Sequence, residues 1–283
     1  MTTTTTQIQN AQTEAETALP SRQVITKQVL DHCLNMINSA QAAANLCDAP
    51  FTHCSFDQTF PDNLYRCLVE ALPAYEHYLH SVSSKHIRTN GSKSISVAST
   101  FSLSDRSLKK LSPHQETVLG GAADALRSAE FKQALFSLLE KPLCKRLGIS
   151  ANALRKIGAY PHPHLVRNLA TYQHAPYAGT SKKLITIQFH LPTDETQVGL
   201  GTTLYKRRLL QLRNIIAPAK RFVPAKRIAF APNTGFTFVQ NRNAFQGQES
   251  LPQNCQPRNA LVMFYLVDPS VAKEDSDTLP VIV

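Results

Sequence analysis

Residues 167–192, RNLATYQHAPYAGTSKKLITIQFHLP, decide how the chain is read. Thr186, Gln188 and His190 recur with period two, which places them on one face of a strand and on one wall of any pocket that the strand borders. The stretch sits within a longer pattern. From about Tyr160 to Leu266 the chain reads as short alternating strands punctuated by Pro, Gly and Asn, as expected for a double-stranded β-helix of the jelly-roll or cupin type.

Upstream the period changes. Residues 1–20, MTTTTTQIQNAQTEAETALP, are polar and repetitive and predict a disordered tail. Val24, Ile25, Val29, Leu30, Cys33, Leu34 and Ile37 recur at helical spacing and predict a long amphipathic helix. A short strand and a helix starting near Pro61-Asp62 follow, and residues 74–92 read as loop. Ile95, Val97 and Phe101 predict a strand, and Ser112 with Gln115 a capping box before a helix that Gly120-Gly121 weakens. Residues 128–148 predict another helix, ending near Lys141-Pro142 or continuing with a kink to Gly148. The fold class expected is α+β with a mainly β core: a support region over 21–159, the β-helix core over 160–267 and a C-terminal tail over 268–283.

Read in order, Arg167, Tyr172, Pro176, Lys183, Thr186, Gln188, Phe189, Leu191 and Pro192 resemble a segment of the Fe(II)/2-oxoglutarate-dependent dioxygenase superfamily, in its prolyl-hydroxylase-like bacterial form. That segment runs Arg-Asp, Gly-Tyr, Pro-His-x-Asp, Lys, then Thr-x-Gln-Phe-Tyr-Leu-Pro, and the family binds iron with two histidines and one carboxylate. The resemblance covers roughly residues 50–267 and puts the first histidine position at Tyr177 and the carboxylate position at Gly179, without a gap. Pro232, Asn233, Gly235 and Phe238, followed by Ala244-Phe245-Gln246-Gly247, match the approach to the distal histidine, whose place Gln246 takes. Arg258 then matches the arginine that pairs with the distal carboxylate of 2-oxoglutarate. At His190 the family usually carries a tyrosine that helps this arginine grip the cosubstrate.

All ten histidines lie between His32 and His190, so no closing strand can supply a distal one in any register. A phenol, a glycine and an amide lack both imidazoles and the formal negative charge of the usual set. A glycine at the carboxylate position alone would match the halogenase branch, which still needs both histidines. The resemblance therefore implies degenerate metal positions at Tyr177, Gly179 and Gln246 and no resident cofactor. The competing arrangement is a metal site rebuilt from His162, His164, His174 and His190. His162 and His164 are interleaved with Pro161 and Pro163, a pattern that favours an extended segment with solvated or packed histidines.

Three functions stay open. In the preferred one, a non-redox pseudo-oxygenase binds a small anionic metabolite or a partner in the old pocket, with 2-oxoglutarate or another carboxylate at Arg258 and Thr186 and Gln188 lining the wall. In the second, a metal-independent enzyme uses Tyr177 and His190 for acid-base chemistry on a carboxylate-bearing small molecule. That chemistry needs a depressed Tyr177 pKa, which a nearby guanidinium could supply. The third is an active Fe(II)/2-oxoglutarate dioxygenase with an atypical metal site. No Ser-His-Asp arrangement, P-loop or dinucleotide fingerprint is recognisable in the chain.

Composition sets the outer bounds. With 283 residues, 42% of them hydrophobic, the chain can bury a sizeable core, and no run is long and apolar enough for a membrane span. The six cysteines form no CxxC pair and read as reduced thiols, and with no secretory signal pattern the expected location is the cytoplasm. The net charge of +10 is concentrated: between Glu195 and Glu249 there is no acidic residue but nine Lys and Arg, from Lys206 to Arg242. Residues 206–227 are thus either a solvated hairpin, the favoured reading, or a contact for a polyanion.

Overall fold

The computed structural model describes residues 20–89, 92–170, 172–208 and 221–268, so nearly all of both expected tails lies outside it. In chain order the helices are α1 (Arg22–Ala42), α2 (Asp62–Glu70), α3 (Asp105–Leu108), α4 (Pro113–Arg127), α5 (Ala129–Leu138), α6 (Glu140–Leu147) and α7 (Ala151–Leu154). The strands are β1 (His53–Phe56), β2 (Leu79–Thr89), β3 (Ser92–Ser102), β4 (Ala159–Asn168), β5 (His174–Tyr177), β6 (Lys183–His190), β7 (Thr202–Arg207), β8 (Phe222–Ile228), β9 (Gly235–Val239), β10 (Phe245–Gln248) and β11 (Arg258–Val267).

The strands form a seven-stranded sheet, β1-β9-β6-β11-β4-β3-β2, and a four-stranded sheet, β5-β10-β7-β8. From β4 to β11 the antiparallel pairing is nested: β7 pairs with β8, β6 with β9, β5 with β10 and β4 with β11. That is a long hairpin rolled over on itself, its strands alternating between two facing sheets, the topology of a double-stranded β-helix. The expected fold class is thus the observed one, a mainly β core with helices packed on one side.

Those helices cover the outer face of the larger sheet. Ile185, Ile187, Phe189, Leu261, Met263 and Tyr265, alternate residues of β6 and β11, are buried with Ile25, Val29 and Cys33 of α1 and Leu119, Leu126, Phe131 and Leu135 of α4 and α5 in one core. Each such side chain stabilises the fold by roughly 1.5–3 kcal/mol relative to exposure. The glycine pair does not end α4; it lets α1 approach. A Cβ on Gly121 would lie 2.7 Å from Ile25 Cγ2, and one on Gly120 2.8 Å from the Arg22 guanidinium. Arg22 in turn binds Asp124 with both Nε (2.7 Å) and Nη2 (2.9 Å). The capping box at Ser112 and Gln115 is formed. The expected helix over 128–148 breaks at Leu139, Pro142 falls in the first turn of α6, and Gly148 closes that helix at φ 65°.

The expected loop over 74–92 is corrected. Its described part holds a 3-10 turn, Tyr75–His77, followed by β2, whose register with β3 runs from Leu79↔Thr100 to Thr89↔Ser92. β2 is an edge strand, so its polar sequence, HSVSSKHIRT between His80 and Thr89, shows none of the apolar alternation of a strand with a buried face. The signal that could have found it is Asn90-Gly91, the favoured two-residue hairpin connection.

One residue ties the β8–β9 connection to the support region. Asn233, at φ 53°, accepts from the Phe60 backbone N–H (2.9 Å) and the Thr59 hydroxyl (3.1 Å) and donates to the Phe60 carbonyl (2.8 Å) and Asp62 Oδ1 (3.2 Å). Asn233→Ala removes all four bonds and keeps a Cβ in a left-handed conformation, so it should cost about 2–4 kcal/mol, measured by chemical denaturation. Asn233→Gly, which relieves the backbone alone, should recover only a minor part.

Candidate functional site

The inner face of the larger sheet is read from its register. Arg258 stands opposite Asn168, Ala260 between His190 and Val166, Val262 between Gln188 and His164, and Phe264 between Thr186 and His162. From the smaller sheet Leu204 packs against Phe236 and Phe238 of this face, so its neighbour Gln246 and, beyond that, Tyr177 also point inward. Val166, Phe264, Tyr177 and Gln246 are only half-buried although they face the interior.

Arg258 stands on this inner face, opposite Asn168, and is 3% exposed. Its Nε donates to the Leu200 carbonyl (2.9 Å) and its Nη2 to Thr202 Oγ1 (3.1 Å), while the guanidinium carbon lies over Phe230, 4.1 Å from the ring centre. Among the described residues no carboxylate comes within 4 Å of it. Burial pulls its pKa down to about 10, the one opposing influence being the nearby Tyr172 hydroxyl. A guanidinium held this way is a cation with planar donors left over and no counter-charge.

His190 packs on the same Phe230 ring, 4.8 Å between centroids, and is fully buried. Its Nδ1 is 3.0 Å from Thr234 Oγ1, and the Thr234 hydroxyl donates to the Ala231 carbonyl (2.9 Å). Nε2 has no hydrogen-bond partner among the described residues. Burial first, and Arg258 second, hold this imidazole well below its usual pKa, so it is neutral at physiological pH.

The three degenerate metal positions behave differently. Gln246 Nε2 donates to the Tyr177 hydroxyl at 3.3 Å, across the β10–β5 register that pairs these two residues. Gly179 lies against Gln240: a Cβ there would meet the Gln240 amide carbon at 2.7 Å. Burial raises the Tyr177 pKa, against a smaller lowering by Gln246. The depressed Tyr177 that acid-base chemistry requires is therefore not what the structure holds, and the guanidinium expected beside it interacts instead with Tyr172, itself pushed up to about 12 by burial.

Other expected residues are only partly brought together. Gln188 and Thr186 share the inner face with His190, yet Thr186 stands three alternate positions along β11 from Arg258, about 20 Å at strand rise, so these two do not form one contact set. His164 is buried against Phe264, its ring 4.9 Å from the Phe264 ring and 5.8 Å from that of His162, which is exposed. The His174 ring packs at a tilt against Tyr177, 4.1 Å between centres, with its Nδ1 on the Ala175 carbonyl (2.8 Å). Among the described residues no three His, Cys, Asp or Glu side chains come close enough to hold a metal ion. Arg167 faces away, bonded to Asn259 Oδ1 (2.8 Å) and the Pro73 carbonyl (3.2 Å).

Burial also pushes His164 down to about 4, against a smaller lift from its hydrogen bond to the His162 carbonyl and with the charges of His162 and Lys183 adding to the lowering, compared with 6.5 for a free imidazole. Between these values the unfolded chain binds more protons than the folded one. Stability therefore falls as pH drops from 6.5 to about 4, by on the order of 3 kcal/mol from this group. Thermal melts across that window should show a flatter pH dependence for His164→Gln than for the wild type.

Sequence reasoning missed Phe230, Thr234, Leu200 and Thr202. Thr234 lies inside the Pro232-Asn233-x-Gly235 motif and could have been flagged, but nothing marks Phe230 or the Leu200 carbonyl, which the fold delivers from loops. Of the basic block, Lys206, Arg207, Arg208, Arg221 and Arg227 are exposed around the β7–β8 hairpin, and residues 209–220 lie outside the described residues. Arg227 pairs with Glu249 (3.3 Å) and Arg207 covers Phe245 (4.6 Å). No helix among the described residues is long and apolar enough to cross a membrane.

No protein-family model and no curated protein matches the chain. Among solved structures it is similar to a prolyl-4-hydroxylase from Pseudomonas putida, at 10% identity over 83% of this chain and 99% of that one, with a TM-score of 0.48. It is likewise similar to a prolyl hydroxylase from Trichoplax adhaerens in complex with a peptide fragment of the oxygen degradation domain of hypoxia inducible factor, at 11% identity over 87% and 93%, TM-score 0.45. An oxidoreductase of the 2OG-Fe(II) oxygenase family from Burkholderia pseudomallei matches at 11% identity over 82% and 90%, TM-score 0.43.

Proposed function

We propose that this protein is a non-redox member of the oxygenase-type β-helix proteins and that it binds a small carboxylate between its sheets, anchored by Arg258. The observation that carries the reading is the buried guanidinium over Phe230 with no carboxylate within 4 Å among the described residues. A buried cation without a counter-ion is costly, and a bidentate carboxylate meets both its charge and its remaining N–H groups.

The residues at the three degenerate positions do not fit ferrous iron. Tyr177 and Gln246 are bonded to each other, both would be neutral ligands, and Gly179 contributes no side chain and has Gln240 packed where one would grow. No oxidative step is therefore derived for this chain. Its residues orient and desolvate an anion: Leu200 and Thr202 fix the guanidinium plane, Phe230 closes one of its faces, and Tyr172 stands beside it.

The test is a thermal-shift series with acetate, succinate and 2-oxoglutarate against chloride at equal ionic strength, with metal analysis of protein purified without chelator. At least one carboxylate should raise the melting temperature and iron should be far below stoichiometric. About one tightly held iron per chain would reverse the reading, because a functional site would then exist.

A further inference from the structure

The site also carries information about what accompanies the carboxylate. The Thr234 hydroxyl has one proton, and the Ala231 carbonyl can only accept. Both Thr234 contacts are satisfied together only when His190 Nδ1 carries the imidazole proton and donates to Thr234 Oγ1. Nε2 is then a bare lone pair, buried and without a partner among the described residues. Across β11, the Oδ1 of Asn168, which faces the same side as Arg258, likewise lacks a donor. Two unmet acceptors flank one cation that has donors to spare.

We propose that the ligand is a hydroxycarboxylate whose carboxylate binds Arg258 and whose hydroxyl donates to His190 Nε2. This rests on the carboxylate reading above and adds the second group. An oxo group or a second carboxylate at Nε2 would set lone pair against lone pair in a buried site and leave the acceptor unmet. An ammonium could donate but would be a second cation in the low-dielectric interior beside Arg258. A hydroxyl donates without adding charge. The Arg258 guanidinium carbon and the His190 ring centre lie 4.1 and 4.8 Å from the Phe230 ring centre, so a ligand of a few carbons is long enough to reach both. The residue that sets the preference is Thr234, which touches no ligand and acts by fixing the tautomer of His190.

The experiment compares matched acids by titration calorimetry: lactate with pyruvate, 3-hydroxybutyrate with acetoacetate, and 2-hydroxyglutarate with 2-oxoglutarate, on wild type, Arg258→Met and Thr234→Val. In at least one pair the hydroxy acid should bind about tenfold tighter or more, as expected where a buried acceptor is left unpaired. Arg258→Met should abolish binding of both members, and Thr234→Val should shrink the preference to within about threefold by freeing the imidazole to present Nε2–H instead. Equal affinities, or tighter oxo acids, with binding still lost in Arg258→Met, would overturn the hydroxyl requirement and leave the carboxylate reading intact. No binding by any of the six acids would overturn both. Should Thr234→Val fail to fold, nitrogen-15 shifts of the His190 ring in the wild type decide: a protonated Nδ1 with bare Nε2 supports the assignment, and a protonated Nε2 refutes it.

Discussion

Replacing Arg258 by methionine should abolish the thermal stabilisation expected of the wild-type protein with small carboxylates. At a ligand concentration of about one hundred times Kd, the wild type should gain roughly 2.7 kcal/mol. For a chain of this size that is a rise of about 5 °C in melting temperature. The variant should show none. Its stability without ligand should change little, because two effects oppose each other. Methionine fills much of the arginine's volume and removes a desolvated charge, which favours the folded state. It also leaves the Leu200 carbonyl and Thr202 hydroxyl without their donor, which costs about 1–3 kcal/mol. Paired melts of the two proteins, with and without carboxylate, separate ligand anchoring from fold maintenance. An undiminished shift in the variant would remove Arg258 from the site.

Gly201→Ala should be the most damaging single-methyl change near the site. Gly201 lies between Leu200 and Thr202, the two residues that hold Arg258, and the start of β7 crosses the end of β8 there. A Cβ at Gly201 would sit 2.0 Å from the Ile228 carbonyl oxygen and 3.3 Å from the Ala229 Cα. The obstacle is backbone, so no side chain can swing away. The two strands must separate, losing the Thr202↔Ile228 pairing and displacing Phe230, whose N–H binds the Val198 carbonyl at 3.1 Å. A cost of roughly 3–5 kcal/mol is expected, together with loss of the carboxylate effect, because the Arg258 acceptors move with the strand. Denaturant titration measures the first, and the melting shift with ligand the second. At Gly179, by contrast, the nearest obstacle is the end of the Gln240 side chain, so Gly179→Ala should be milder.

The fold was largely legible because its signals are local. The period-two pattern of Thr186, Gln188 and His190, the helical spacing of Ile25, Val29, Cys33 and Ile37, and the Ser112–Gln115 box each depend on neighbours within a few residues, and each element formed where it was read. The miss at β2 has the same root. An edge strand with a polar sequence carries no apolar alternation, and its identity comes from pairing with β3. Gly120 and Gly121 show the opposite case, in which a weak local propensity is overridden because α1 needs the space.

The candidate site was legible as a set of positions and opaque as an arrangement. The sequence offered Tyr177, Gly179, Gln246, His190 and Arg258 as one set only through the family resemblance, whereas residue order alone determined that no histidine follows His190. Residue types and spacing are covalent properties of the chain, so these conclusions needed no coordinates. Only the tertiary structure decided that Phe230 lies under both Arg258 and His190, that Tyr172 takes the arginine's field in place of Tyr177, and that Thr234 leaves one imidazole nitrogen bare. Burial, hydrogen-bond direction and pKa are set by groups distant in sequence and adjacent in space, and the loops that bring those groups together carry no periodic signal of where they will land.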